Sequence, residues 1–317
     1  MHAIVSAALT GLAVPAAALV LTAPALALDA RRQGRSSGQT LDRIGQIVAA
    51  GRLIHELQRE RGLSVGYLSK SADDYTTLDR QIAVTDDSLA AFHRVFADHP
   101  PDEAVTSGVA GLDAHRQRIR HRQVPPAQAA MGYGGRIGVL LDLIGQGVKS
   151  AARGRLARLG TAYLNLVSAK EAAGQERAHL TAALSAPTME AAARRRAHDL
   201  HEQQDMLLRL FADGAGAELA RFSQAALADP ERVVNALRNA ALAEDAKLHR
   251  PTAILWFEAA TRRIDALKEV EMRLEATLLT AATATRSRAG RNLRVIVGAV
   301  LGSLGLLGGI ASTVGAL

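Results

Sequence analysis

Three arginines stand where a buried apolar residue is expected, and they are the side chains in this sequence best suited to bind a ligand. Arg61, Arg177 and Arg263 each continue a helical repeat of apolar residues spaced three and four apart. An arginine on such a face must reach solvent or find an acceptor, because a buried unpaired charge is costly. Since guanidinium is planar, forked and permanently charged, several converging arginines would form a cavity for a small oxyanion.

The same pattern is also compatible with a purely structural role. In an arginine-rich helical chain some basic residues fall on apolar faces by chance, as Arg136 and Lys170 do. Arg61 could equally pair with a buried carboxylate such as Glu60 or Glu176 of another helix. The residues alone therefore leave two interpretations open, an anion site and a set of internal ion pairs.

The elements that must position these arginines are helices. Ala, Leu, Arg, Gln and Glu dominate residues 29–294, and runs of strand-favouring residues are absent there. Prolines divide this region into about eight helices with short connections, which favour two up-and-down bundles. The local sequences at 58–61 and 174–177 resemble each other, which indicates that the bundles are related halves.

Local signals predict where some helices begin and end. The pattern Ser71-x-x-Asp74 predicts a break near Ser71, and glycines within 145–154 predict another. Asp229-Pro230-Glu231 combines a capping residue with a proline, which is typical of a helix start.

Both ends of the chain are uncharged. All 38 Lys and Arg and all 31 Asp and Glu residues lie between Asp29 and Arg294. Because about 20 apolar residues cross a bilayer, we expect a membrane helix or signal anchor at 1–28 and a second membrane helix at 295–317. The region 29–294 between them is the predicted helical domain.

The second uncharged run also favours self-association. Glycines recur four residues apart at Gly298 and Gly302 and again at Gly305 and Gly309. Small residues at this spacing let two helices approach closely in lipid, so a homodimer is expected.

Several classes of function are disfavoured by what the sequence lacks. With no cysteine, it has no disulfides, thiolate zinc ligands or thiol nucleophiles. His198-x-x-His201-Glu202 lacks the order of a zinc-protease motif and a third ligand, so we expect no metal. Nor is there a recognisable catalytic motif, so neither an enzyme nor a cofactor is expected. The net charge of +7 comes from arginine spread along the chain, which argues against a nucleic-acid partner.

Three motifs, in order over roughly 45–275, resemble the NIT family of nitrate- and nitrite-sensing domains of bacterial receptors. The motifs are Leu57-Gln58-Arg59-Glu60-Arg61-Gly62-Leu63-Ser64 with Gly66-Tyr67-Leu68, then Lys170-Glu171-Ala172-Ala173-Gly174-Gln175-Glu176-Arg177, then Trp256-Phe257 with Thr261-Arg262-Arg263-Ile264-Asp265. The resemblance implies two adjacent four-helix bundles with the anion held between helices. By motif, the implied ligand residues are Arg61, Arg177 and Arg263, supported by Gln58, Ser64 and Gln175.

The resemblance also implies a cellular setting. Receptors of this family hold the sensor domain outside the bacterial cytoplasmic (inner) membrane, periplasmic or extracellular, between two transmembrane helices. An adaptor called HAMP and an output module follow the second helix. This sequence ends at Leu317 without either, so we expect a signalling module that is missing from this chain or supplied by a partner.

The function expected is therefore a membrane-anchored sensor that binds nitrate or nitrite and passes the signal across the membrane. The alternative is a structural helical domain that dimerises through the glycine-rich helix, with its arginines in internal ion pairs. A receptor for a different small anion, such as a carboxylate, is a third possibility.

Overall fold

The computed structural model describes residues 2–69, 75–151, 154–243 and 250–315, and helices account for nearly all of them. The helices are α1 (His2–Ser69), α2 (Thr76–Val95), α3 (Glu103–Val109), α4 (Leu112–Arg120), α5 (Pro126–Ala151), α6 (Arg155–Ser185), α7 (Ala191–Ala215), α8 (Ala217–Leu242) and α9 (Ala253–Gly315). Within these described ranges there is no strand, which confirms the expected all-α class.

The chain divides into two compact units. One consists of Met1–Asp42 together with Thr280–Leu317, and the other is Arg43–Leu279. These divisions fall inside α1 and α9, whereas the change from uncharged to charged composition falls at 28/29 and 294/295. All of the predicted ligand residues belong to the unit Arg43–Leu279.

Within Arg43–Leu279 the helices form two groups. In the first, Arg116 of α4 and Tyr133 of α5 both donate to Glu60 of α1. In the second, Arg238 of α8 and Gln204 of α7 both donate to Glu176 of α6. Helices α5 and α6 pack against each other.

One expected helix break is confirmed and one lies outside the described residues. Gly154 precedes α6 with a φ of +69°, a conformation that glycine adopts without steric cost. This agrees with the break predicted within 145–154. The pattern Ser71-x-x-Asp74 lies outside the described residues, between the end of α1 at Ser69 and Tyr75 before α2.

The helix start predicted at Asp229-Pro230-Glu231 is wrong, because α8 continues through Pro230. Proline inside a helix removes one backbone hydrogen bond and strains the preceding turn, at about 3 kcal/mol. Tertiary contacts just after the proline offset this cost. Glu231 accepts a hydrogen bond from Arg263 of α9, and Val234 is buried in the core.

The core of the second helix group is centred on Trp256 of α9, which is completely buried. The residues packed together there are Leu180, Met189, Ala197, Val234, Trp256, Ala259 and Ala260. The Trp256 indole Nε1 donates to the backbone oxygen of Arg177 at 3.1 Å. Buried indole N–H groups need such a partner, and this one joins the third sequence motif to the second.

In the unit Met1–Asp42 with Thr280–Leu317, α9 exposes apolar side chains. Val295 and Leu301 are 70% and 64% exposed. Among the residues that the structure describes, one stretch, Ala253–Gly309, contains a window long and apolar enough to cross a bilayer, with a mean hydropathy of 1.5. The span expected at 1–28 stays a prediction.

Candidate functional site

Arg61 and Arg177 extend toward each other's helix where α1 meets α6. The Nη2 atom of Arg61 lies 2.7 Å from the position a Cβ would take at Gly174 of α6. In the reciprocal contact, Nη2 of Arg177 lies 2.9 Å from the position a Cβ would take at Gly62 of α1. The missing side chain at each glycine therefore leaves room for the guanidinium group of the opposite helix.

The Arg61 guanidinium is bound to a carboxylate. Its Nη1 and Nη2 donate to the two oxygens of Glu171 at 2.6 and 3.0 Å, and both residues are buried. Glu171 also accepts hydrogen bonds from the amides of Gln58 and Gln175, each at 2.9 Å. Glu171 is thus the centre of a buried polar cluster, and for Arg61 the ion-pair interpretation applies.

Arg177 differs, because it makes no ion pair with any residue that the structure describes. Its Nη1 donates to the Thr261 hydroxyl at 3.0 Å, and its guanidinium carbon lies 4.9 Å from the centre of the Phe257 ring. Burial and, after it, the neighbouring charge of Arg61 lower the pKa of Arg177 from 12.5 to about 10. The group still carries its proton at neutral pH, so the site holds a half-buried cation that is not paired with any carboxylate of the described residues.

Arg263 lies in a different cluster. Its Nε donates to Glu231 of α8 and its Nη1 donates to Gln204 of α7 at 2.6 Å. Its buried Nη2 has no partner among the described residues. The structure therefore brings two of the three predicted arginines together and places the third against α7 and α8.

Two of the three predicted supporting residues lie at the α1–α6 contact, and the third does not. Gln58 and Gln175 lie at the Arg61–Glu171 pair, as described above. Ser64 lies elsewhere, with its hydroxyl 3.1 Å from that of Tyr133 in the cluster around Glu60.

The two carboxylates considered as partners of Arg61 are bound to other arginines. Glu60 receives Nε and Nη2 of Arg116 at 2.7 and 2.9 Å, and Glu176 receives the same two atoms of Arg238. In both motifs the glutamate binds an arginine of its own helix group, while the arginine that follows reaches toward the other group. This repetition matches the similarity between 58–61 and 174–177.

A further buried cluster joins α6 to α9. Lys170 and Glu271 are completely buried and form an ion pair, and Lys268 Nζ lies 2.8 Å from the same carboxylate. His55 of α1 lies beside this cluster, and its Nδ1 has no partner among the described residues. Burial, followed by the charges of Lys170 and Lys268, lowers the pKa of His55 to about 3.

Sequence reasoning missed Glu171 as the partner of Arg61, although a signal was present. Glu171, Gly174 and Arg177 recur at a three-residue spacing, so they share one face of α6. Periodicity places a residue on a face of its own helix, but it does not specify which residue of α1 that face meets.

Comparison with known proteins adds two relatives. The nitrate regulatory protein of Klebsiella oxytoca is 28% identical over 254 residues, which are 76% of this chain and 62% of that protein. The chain thus spans less than two thirds of the length of this relative. The structure of the NasR transcription antiterminator matches 90% of this chain and 82% of its own, with a TM-score of 0.72 at 24% identity. The two chains share a fold.

These relatives overturn one expectation. The expectation that nucleic acid is absent from the partners is wrong, because the protein of similar fold is a transcription antiterminator and the relative is a regulatory protein. The physical reason is that an even spread of arginine along a sequence does not show which arginines the fold brings to one surface.

A family model described as nitrate and nitrite sensing matches residues 52–279, which include both helix groups and all three sequence motifs. This match covers well over half of the chain and includes the α1–α6 contact at Arg61 and Arg177. The chain therefore belongs to the NIT family, the nitrate- and nitrite-sensing domains.

Proposed function

We propose that this chain is the sensor part of a signalling protein and binds nitrate or nitrite where α1 meets α6. The observation that carries the proposal is the half-buried Arg177 guanidinium, which has no carboxylate partner in the described structure and lies beside Arg61. Both ions are small planar monoanions, whose oxygens suit the donors of a guanidinium fork. Membership of the family supports this class of ligand.

The proposal assigns different roles to the predicted residues. Arg177 supplies the charge that binds the ligand, and Arg61 adds to the positive potential while it remains bound to Glu171. Gln58 and Gln175 hold Glu171 in place. Arg263, bound to Glu231, is assigned a structural role.

We also propose that the two helix groups are the two four-helix bundles expected from the sequence, with α1 and α6 facing each other at the ligand. An anion between Arg61 and Arg177 would neutralise their mutual repulsion and favour closer packing of these helices. A signal requires two packings with different affinity for the anion.

Anchoring in a membrane is a further part of the proposal. Val295, Leu301 and Leu304 of α9 are exposed, as in a helix that faces lipid. We expect the sensor unit on the outer side of the membrane, as in receptors of the family.

A second candidate, an intracellular regulator that acts on transcription, is favoured by the names of the two relatives. Protease treatment of intact cells separates the two candidates. Digestion of the unit Arg43–Leu279 supports the outer location, and protection supports the intracellular regulator.

Calorimetry on the full chain in detergent, with nitrate, nitrite, chloride and acetate, tests the ligand. We expect heat of binding with nitrate or nitrite, and none after Arg177→Met. Because Arg177 has no ion pair to lose, this variant should unfold at a temperature no lower than that of the parent. The control is Arg262→Ala, since Arg262 follows Thr261, the hydrogen-bond partner of Arg177, but is exposed.

Two results would contradict the proposal. Nitrate binding by Arg177→Met with the affinity of the parent would remove Arg177 from the site. Equal binding of chloride and nitrate would show that the site does not recognise a planar oxyanion.

A further inference from the structure

We propose that Glu171 determines the specificity of the site, because its carboxylate lowers the site's positive charge to one and so selects a monovalent over a divalent oxyanion. This inference rests on the proposed function and adds to it a reason for ligand choice. Glu171 takes no part in binding the ligand directly; it acts through Arg61.

The charges at the α1–α6 contact support this assignment. Arg61 and Arg177 contribute two positive charges, and Glu171, bound through both oxygens to Arg61, contributes one negative charge. Asp265 acts on the pKa of Arg177 more strongly than Glu171 does. Asp265 is exposed, however, so solvent and counterions compensate its charge, and we leave it out of the charge of the site. One positive charge therefore remains for a ligand.

Four hydrogen bonds hold the Glu171 carboxylate, so a ligand that displaced it would have to break them. Besides the two bonds to Arg61, its carboxylate accepts one from each of Gln58 and Gln175. The Gln58 amide donates to Glu171 through Nε2. In this orientation its Oε1 atom is buried without a partner in the described structure. The surroundings are thus built to stabilise a carboxylate, not to release it.

The net charge then decides between ligands. A monovalent oxyanion beside Arg177 brings the combined charge of Arg61, Arg177, Glu171 and the ligand to zero. A divalent oxyanion would leave one uncompensated negative charge beside the buried Arg61–Glu171 pair, in a partly desolvated site, which is unfavourable. Nitrate and nitrite satisfy this condition, and sulfate does not.

Replacement of Glu171 by its neutral isostere tests the inference on the full chain in detergent. Calorimetry with sulfate should show little or no binding to the parent and binding to Glu171→Gln that is tighter by about tenfold or more. Glu171→Asp keeps the charge and should still exclude sulfate.

The matched control is Glu60→Gln. Glu60 is also a buried glutamate held by two bonds from an arginine, but its partner is Arg116 and it lies away from Arg177. This variant should exclude sulfate as the parent does. Sulfate binding by Glu60→Gln or Glu171→Asp would overturn the inference.

A second substitution tests the charge count if Glu171→Gln does not fold. Thr261 is uncharged, and its hydroxyl lies 3.0 Å from Nη1 of Arg177. Thr261→Asp would place a carboxylate there and bring the site to zero charge, so nitrate affinity should fall by about tenfold or more. Unchanged nitrate affinity in this variant would overturn the inference.

The outcomes separate the two proposals. If the parent binds neither nitrate nor nitrite, the proposed function fails. If the parent binds nitrate and Glu171→Gln still excludes sulfate, the proposed function stands and the role of Glu171 is refuted.

Discussion

At the scale of single residues, we expect the partner of each interhelical arginine to distinguish a structural group from a ligand-binding one. Arg116 and Arg238 each donate two hydrogen bonds to one carboxylate, which is the arrangement expected of a stable internal ion pair. Arg177 instead donates to the Thr261 hydroxyl and lies over the ring of Phe257. Arg61 and Arg177 occupy matching positions in two sequence motifs, but because their partners differ we propose different roles for them.

We expect His55→Leu to reduce the loss of stability in acid. His55 has a pKa of about 3 in the folded chain, against 6.5 when exposed. Between these values the unfolded chain binds a proton that the folded chain does not. Stability that is present above pH 6.5 is therefore lost as the pH falls, by about 3 kcal/mol at pH 4.5.

Urea unfolding of the parent and the His55→Leu variant at pH 7.5 and pH 4.5 measures this difference. His99→Leu is the control, because His99 is exposed. An equal loss of stability in parent and His55→Leu would contradict the prediction.

At the scale of helices, the contact between α1 and α6 depends on two glycines. A Cβ at Gly62 would lie 2.9 Å from Nη2 of Arg177, so Gly62→Ala should push the guanidinium out of position. We expect nitrate affinity to fall by about tenfold, since misplacing one charged donor costs more than 1 kcal/mol. Calorimetry with nitrate gives the measurement.

Gly66, one turn further along α1, provides the comparison, because nothing lies within 4 Å of the corresponding Cβ position. Gly66→Ala should keep the parent's affinity and raise the free energy of unfolding by about 0.5–1 kcal/mol, since alanine favours the helix. Equal loss of binding in both variants would mean that helix propensity, not contact with Arg177, is responsible.

Helix prediction from sequence succeeded where the local signal was not opposed by packing. The break at Gly154 follows from a backbone conformation that glycine adopts easily. At Pro230 the local signal was strong, but contacts such as that of Glu231 with Arg263 keep α8 continuous. The contact of Glu231 with Arg263 joins residues 32 positions apart, which no local pattern describes.

At the scale of the whole molecule, the two uncharged runs bear on membrane attachment. We expect Leu301→Arg combined with Leu304→Arg to release the chain from the membrane fraction on carbonate extraction. Both leucines are exposed on α9, and each arginine at the centre of a bilayer helix costs about 3 kcal/mol.

Val84→Arg, on the exposed side of α2, should remain in the membrane fraction like the parent. A parent chain that is itself extracted by carbonate would refute membrane anchoring and favour the intracellular regulator.

Composition and spacing along the chain were sufficient to predict the helical class, the motifs of the NIT family, and the positions of Arg61, Arg177 and Arg263 on apolar faces. These properties depend on residues close together in sequence, for which helix geometry is known in advance. The folded structure was needed to show that Arg61 binds Glu171, 110 residues away, and that Arg263 binds Glu231. It also showed that Arg177 is half-buried and has no paired carboxylate among the described residues. Charge pairing depends on the distance between side chains of different helices, and only tertiary packing determines that distance.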